Sequence, residues 1–127
     1  METSILNSTK KILGLDSDYT VFDLDVLTYI NAALSVVSQL GVTEGIFIED
    51  DGPTWDQLLV PEHQKNLIRT YVFLRVRMLF DPPTTSFLID AMNNQLKEYE
   101  WRLSTEREYR LVAPDSDYWL TVDGGTP

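Results

Sequence analysis

The stretch Pro61–Pro83, PEHQKNLIRTYVFLRVRMLFDPP, constrains the fold most because it is apolar on more than one side. At about 100° per residue, one broad helical face collects Leu67, Ile68, Tyr71, Leu74, Met78 and Leu79. Phe73, Val76 and Phe80 lie roughly opposite. Such a helix needs neighbours on both sides, which predicts a central position. Pro61 fits a first helical turn, and Asp81-Pro82-Pro83 ends the helix.

Amphipathic segments precede this central helix. A short first helix is predicted within residues 3–15, with Ser4 as its cap and Gly14 as its stop. A second helix begins near Asp23 or Asp25 and runs to about residue 40, where Gly41 ends it.

Residues 42–54 break the helical pattern and predict a loop with a short extended piece. Thr54 then caps a single helical turn that Trp55 anchors to the core. After the double proline, Thr84, Thr85 or Ser86 caps a long helix that reaches about Glu108, with a buried stripe at Leu88, Ala91, Met92, Leu96, Tyr99 and Leu103.

The C-terminal segment Tyr109–Pro127 has a different character. Its aromatic and β-branched runs flank Ala-Pro-Asp-Ser-Asp, a pattern typical of a β-hairpin or an extended arm. The predicted fold is therefore all-α: a small bundle of four to five helices around a central helix at about 61–80. We divide the chain into a helical domain, 1–108, and an arm for partner contacts, 109–127.

The amino-acid composition argues against several classes of protein. Twenty acidic and ten basic residues give a net charge of −10, which argues against a protein that holds DNA by neutralising phosphates. The absence of cysteine rules out disulfides and thiolate metal sites. The apolar runs are too short to span a bilayer, and the N-terminus lacks the order of a signal peptide, so we expect a soluble protein without a membrane contact.

Catalytic chemistry finds little support in the sequence. The single histidine, His63, lies in the first turn of the central helix without the partners that a triad or histidine metal site needs, and a solvent-facing side chain is predicted. The glycines form no phosphate-binding loop. The cluster Glu49-Asp50-Asp51 lacks the alternating ligand spacing of a calcium loop and is interpreted as a solvated acidic turn. We predict no enzyme activity, no cofactor and no metal site.

Two features are candidates for contacts with other chains. A stripe of small uncharged polar residues runs along one side of the second helix: Thr28, Asn31, Ser35 and Ser38. It is either a solvent-facing strip or a close subunit contact, because interface centres lack charge. Trp101 points about 180° away from the apolar stripe of the long helix, and either the following chain or another subunit covers it.

Arg75 lies angularly in the middle of the apolar face of the central helix. Either it forms a buried ion pair with a carboxylate or a bond to a carbonyl, or its stem lies along the apolar surface and its head reaches water.

Several blocks of sequence carry a resemblance to a known family. They are SILNSTKKILGL at 4–15, FDLD at 22–25, TYVFLRVRMLFDPP at 70–83 and EYEWRL at 98–103. From about Ser4 to Leu103 the chain resembles the head–tail connector family of long-tailed, siphovirus-like bacteriophages, also called adaptor or head-completion proteins. Beyond Thr105 the chain matches no pattern of that resemblance.

The resemblance implies a virion protein of the head–tail junction, made in the host cytoplasm. Copies, typically twelve, would form a ring beneath the portal protein, extend the DNA channel and dock the next neck, stopper or tail-completion protein. Genomic DNA would pass through without specific binding, since an acidic ring does not hold it. In this account the arm contacts the portal or a neighbouring copy through Leu111, Tyr118, Trp119 and Leu120.

Two other classes of protein stay open as alternatives. A helical DNA-packaging regulator, similar to a small terminase, would use a basic surface, for which Lys10-Lys11 with Arg75 and Arg77 is the available support. An acidic metal-dependent enzyme would use residues 49–51.

Overall fold

The computed structural model describes the backbone of residues 3–112 and the side chains of residues 3–105. This part of the chain contains four α-helices and one 3₁₀ turn: α1 (Ile5–Ile12), α2 (Asp23–Gln39), the 3₁₀ turn Trp55–Gln57, α3 (Glu62–Phe80) and α4 (Ser86–Val112). The prediction of a small all-α bundle is confirmed. α3 packs against each of the other three α-helices, and it is the centre of the bundle as predicted.

The helix ends follow local sequence signals. The Ser4 hydroxyl caps α1 by accepting a 3.2 Å hydrogen bond from the backbone N–H of Asn7. Gly14 and Gly41 follow α1 and α2 with φ of +82° and +81°, a left-handed conformation that glycine adopts without strain. Pro61 immediately precedes α3 as its N-cap, one residue earlier than its predicted place in the first turn.

The 3₁₀ turn attaches the long loop to α1. Thr54 and Gln57 form a reciprocal capping box at its start. The Trp55 side chain is buried, and its indole N–H donates a 2.9 Å hydrogen bond to the Ser8 hydroxyl. An isolated antiparallel bridge between Ser4 and Thr54 completes the attachment, so the start of α1 and the end of the loop are held together.

The core lies mainly between α2 and α3. α2 buries Val26, Ile30, Ala33, Leu34 and Val37, and α3 buries Gln64, Ile68, Tyr71, Val72 and Val76. α1 adds Ile5 and Leu6, and α4 adds Leu96 and Leu103. Apart from Gln64, these buried residues are apolar. Of the broad apolar face predicted for α3, Ile68 and Tyr71 are fully buried.

Three differences from the sequence prediction concern α4 and its surroundings. α4 continues to Val112, so Tyr109–Val112 is helical rather than extended, and only residues 113–127 of the predicted arm lie outside the described chain. Leu88 and Ala91 are exposed rather than buried, because α4 packs mainly against α3 among the described helices. Leu79, predicted on the broad apolar face of α3, is 47% exposed.

Candidate subunit and partner interface

A groove of about 250 Å³ lies between the outer face of α2 and the loop 42–54. Its lining combines apolar, small polar and acidic residues: Leu24, Leu27, Thr28, Asn31, Phe47, Ile48 and Glu49. Leu24 is 76% exposed and Phe47 is 71% exposed. Two large apolar side chains exposed at one groove are a typical feature of a surface that contacts another protein. We call this site the α2 groove.

Asn31 positions one wall of the α2 groove. Its Nδ2 donates a 3.0 Å hydrogen bond to the carbonyl oxygen of Ile48, and its Oδ1 accepts a 2.8 Å bond from the Ile48 N–H. Ile48 is buried, so the asparagine amide satisfies both backbone groups of a residue that water does not reach. Asn31, predicted as a contact residue, therefore holds the loop onto α2 within its own chain.

The rest of the predicted polar stripe is divided by that loop. Thr28 and Ser35 are exposed, and the Thr28 hydroxyl donates a 2.8 Å hydrogen bond to the carbonyl oxygen of Leu24. Ser38 is half-buried beneath Gly45, where an added Cβ would lie 3.4 Å from the serine Oγ. Thr28 and Ser35 are consequently the stripe residues whose side chains are exposed.

Acidic residues surround one end of the α2 groove. Glu49 also lines a neighbouring depression of about 300 Å³, together with Asp23, Asp50 and Asp51. Among side chains 3–105, no three histidine or acidic residues are grouped closely enough to hold a metal ion. The acidic loop thus gives the groove a negative rim.

Lys10 stabilises this region in a way that sequence reasoning missed. Its side chain is 1% exposed, and its Nζ lies 2.7 Å from Oδ1 of Asp23 and donates a 3.1 Å hydrogen bond to the carbonyl oxygen of Ser17. The pair joins α1 to the start of α2. Because Lys10 is buried, the Lys10-Lys11 dipeptide does not form the basic surface that a DNA-binding protein requires.

Arg75 belongs to a cluster between α3 and α4. Its Nη1 lies 3.8 Å from Oε2 of Glu100, and its guanidinium carbon lies 6.0 Å from the ring centre of Tyr71. The Tyr71 hydroxyl donates a 2.6 Å hydrogen bond to the same Glu100 oxygen. Burial, and then this hydrogen bond, raise the pKa of Tyr71 well above its usual range.

The structure places the Arg75 pair at the edge of the core. The side chains of Arg75 and Glu100 are 32% and 33% exposed, so water reaches both charges. Arg75 therefore lies beside Glu100 and is also partly solvated.

Trp101 lies on the outer face of α4 and is 67% exposed. The buried residues Leu96 and Leu103 are on the opposite side of this helix. Lys97 lies one turn before Trp101 on the same side, whereas Arg102 pairs with Glu98 at 2.8 Å. The side chain of Leu111 and the whole of Tyr118, Trp119 and Leu120 lie outside the described residues.

A second groove, of about 530 Å³, lies at the corner between α3 and α4. Leu74, Arg77, Asp81, Pro82, Pro83, Thr84, Leu88 and Met92 line it. The nearby Phe87 is 78% exposed. The run Phe80-Asp81-Pro82-Pro83 signals the corner in the sequence, but the groove itself depends on how the two helices pack.

Comparison with known proteins gives one family. No curated protein and no solved structure matches the chain. In the part of the chain that the structure describes, no helix is both long and apolar enough to cross a membrane. The sequence model of a family described as phage connector protein matches residues 5–110, which contain every helix described above except the last two residues of α4. The chain therefore belongs to the phage connector protein family and is a structural component of a bacteriophage.

Proposed function

We propose that this protein is a head-to-tail adaptor of the phage virion. Copies of the chain form a ring below the portal protein, extend the DNA channel and dock the next neck or stopper protein. The observation that carries the proposal is the match of residues 5–110 to the phage connector family. Its role is structural rather than catalytic.

The distribution of exposed apolar side chains supports an adaptor. An adaptor has to contact its own neighbours, a partner above and a partner below. The exposed apolar residues of the described surface include Leu24 and Phe47 at the α2 groove, Trp101 on α4, and Phe87 at the α3–α4 corner. Exposed apolar patches of this kind mark protein contacts, and a solitary monomer has little use for several of them.

The charge of the protein supports passage of DNA rather than binding. A net charge of −10 repels the phosphate backbone on average, so a channel built from these copies would let DNA slide. A packaging regulator that grips DNA would need the opposite balance.

Quantitative mass spectrometry of purified virions tests the proposal. We expect this chain and the portal protein to be present in equal copy numbers, typically twelve each. Absence of the chain from mature particles would overturn the adaptor function and favour the packaging regulator. Salt-dependent DNA binding by the purified protein would support the same alternative.

We further propose that the segment after α4 docks onto the portal, with Tyr118, Trp119 and Leu120 as its anchors. Aromatic residues are enriched among the anchors of protein interfaces. A chain that stops after Val112 should keep its helical circular dichroism and fail to enter particles. A full-length chain with alanine at the three anchor positions should behave the same way. A loss of helical signal in either variant would instead make the segment part of the folded domain.

A further inference from the structure

We propose that Trp101 of one copy inserts into the α2 groove of the next copy, with Lys97 beside Glu49 on the groove rim. This inference rests on the proposed ring, because it names the surfaces that join neighbouring copies. Trp101 supplies a large exposed aromatic side chain, and the groove supplies exposed apolar walls at Leu24 and Phe47, with the uncharged Thr28 also in its lining. Buried aromatic anchors and uncharged centres are what protein interfaces share.

The two surfaces belong to different helices, and each lies on the outer side of its own helix. α3 is central and packs against both α2 and α4. At about 100° per residue, Leu24, Thr28 and Asn31 point away from the buried side of α2, and Trp101 points away from the buried side of α4. In the proposed contact one surface meets the other in a single direction, which makes it heterologous and adds copies in one direction, as a ring requires.

Charge complementarity favours a second copy as the occupant of the groove. Residues 3–60 contain nine acidic and two basic residues, whereas residues 61–105 contain five acidic and six basic residues. The α2 groove belongs to the acidic part and Trp101 to the weakly basic part. Lys97 forms no ion pair with any side chain between 3 and 105, which leaves its charge available to Glu49 of the neighbour. Opposite potentials favour this contact over acidic faces meeting each other.

Paired cysteines test the contact, because the natural chain has none. The double variant Thr28→Cys/Asn94→Cys places one thiol in the groove and one on the outer face of α4, two turns before Trp101. A short bis-maleimide is added to the purified full-length protein and to particles assembled with it, and denaturing gels are run. We expect a ladder of dimers, trimers and larger species from the double variant and monomers from each single variant.

Several outcomes would overturn this contact. They are monomers alone from the double variant, dimers from Thr28→Cys by itself, or an equal ladder from the control pair Thr28→Cys/Ser86→Cys. Cross-linking within one chain in Thr28→Cys/Ser116→Cys would identify residues 113–127 as the occupant instead. A ladder from purified protein together with absence of the chain from virions would leave the contact intact and overturn only the adaptor function.

Substitutions at the contact provide a second readout. Trp101→Ala should weaken association of copies about 30-fold, the size expected for a central aromatic anchor. Phe87→Ala, which removes an even more exposed aromatic residue from the same helix, should leave association unchanged. Lys97→Glu and Glu49→Lys should each weaken association and should restore it when combined. Additive losses in the combined variant would refute the pairing of these two residues.

Discussion

The hydroxyl of Tyr71 donates a 2.6 Å hydrogen bond to Oε2 of Glu100 and thereby joins the buried middle of α3 to α4. The Tyr71 ring is fully buried, whereas Glu100 is about one-third exposed. This bond ties the helix that carries Trp101 to the centre of the bundle. Arg75 lies beside both groups and places a positive charge near the carboxylate.

We expect Tyr71→Phe to lower the free energy of unfolding by about 1–2 kcal/mol, because the ring stays packed while a hydrogen bond to a charged group is lost. Equilibrium urea unfolding followed by circular dichroism measures the change. Tyr29→Phe on α2 is the matched control, and we expect it to change stability by less than about 0.5 kcal/mol. Equal losses in the two variants would show that the bond to Glu100 does not stabilise the fold.

The same tyrosine gives a prediction for alkaline pH. Its pKa is raised in the folded protein, so above about pH 10 the unfolded chain loses this proton while the folded chain keeps it. Below that pH the Tyr71 hydroxyl makes its full contribution to the free energy of unfolding. The contribution decreases as the pH rises further, which destabilises the natural protein. The Tyr71→Phe variant has no hydroxyl at this position and does not lose stability in this way. Urea unfolding at pH 8 and above pH 10 should therefore show the stability gap between the two proteins shrinking at the higher pH. A gap that stays constant would contradict the assignment.

Arg75→Ala should destabilise the protein by about 0.5–1 kcal/mol more than Arg69→Ala. The estimate is small because Arg75 and Glu100 are both partly solvated. Arg69 is the natural comparison on the same helix, where its guanidinium contacts Asn66, a residue one turn away. Urea unfolding of both variants at low and moderate salt makes the measurement, and the difference should decrease as salt screens the pair. Indistinguishable variants would remove the stabilising role of Arg75.

We expect Lys10→Met to cost about 2–3 kcal/mol, because it removes the cation beside the partly buried carboxylate of Asp23. Lys11→Met, at the neighbouring exposed position, should cost less than about 0.5 kcal/mol. Combining Lys10→Met with Asp23→Asn should recover part of the loss, since no charge is then left unpaired. Thermal and urea unfolding of the natural protein, Lys10→Met, Asp23→Asn and the double variant completes the double-mutant cycle. A double variant whose loss is the sum of the two single losses would mean that the residues are not coupled.

Asn31→Ala should lower stability by about 1–3 kcal/mol, because it leaves the buried N–H and carbonyl of Ile48 without partners. The amide proton of Ile48 should also exchange faster with solvent, which nuclear magnetic resonance measures at a single residue. Ser35→Ala on the exposed part of the same stripe should leave both quantities unchanged. Slow exchange at Ile48 in Asn31→Ala would show that the loop is held by other contacts.

Local interactions explain why much of the fold could be predicted from the sequence. The Ser4 cap, the stops at Gly14 and Gly41, the Thr54 turn and the break at Pro82-Pro83 all depend on residues within one or two turns of each other. The central position of α3 was predictable because a helix that is apolar on several sides has to be surrounded. The family resemblance could be recognised for a similar reason, since the blocks that carry it are continuous stretches of this chain.

Tertiary packing decided the features that join residues far apart in the chain. Asn31 forms hydrogen bonds with Ile48, which is 17 residues away, and Tyr71 forms one with Glu100, which is 29 residues away. The helical period does not indicate which of many equivalent polar groups becomes the partner. Burial of Lys10 likewise depends on where the start of α2 lies. Helical period alone places Leu88 and Leu96 on one stripe, but only Leu96 is covered, because α3 is the main neighbour of α4. A sequence states which side of a helix is apolar, and the arrangement of the other helices determines how much of that side is buried.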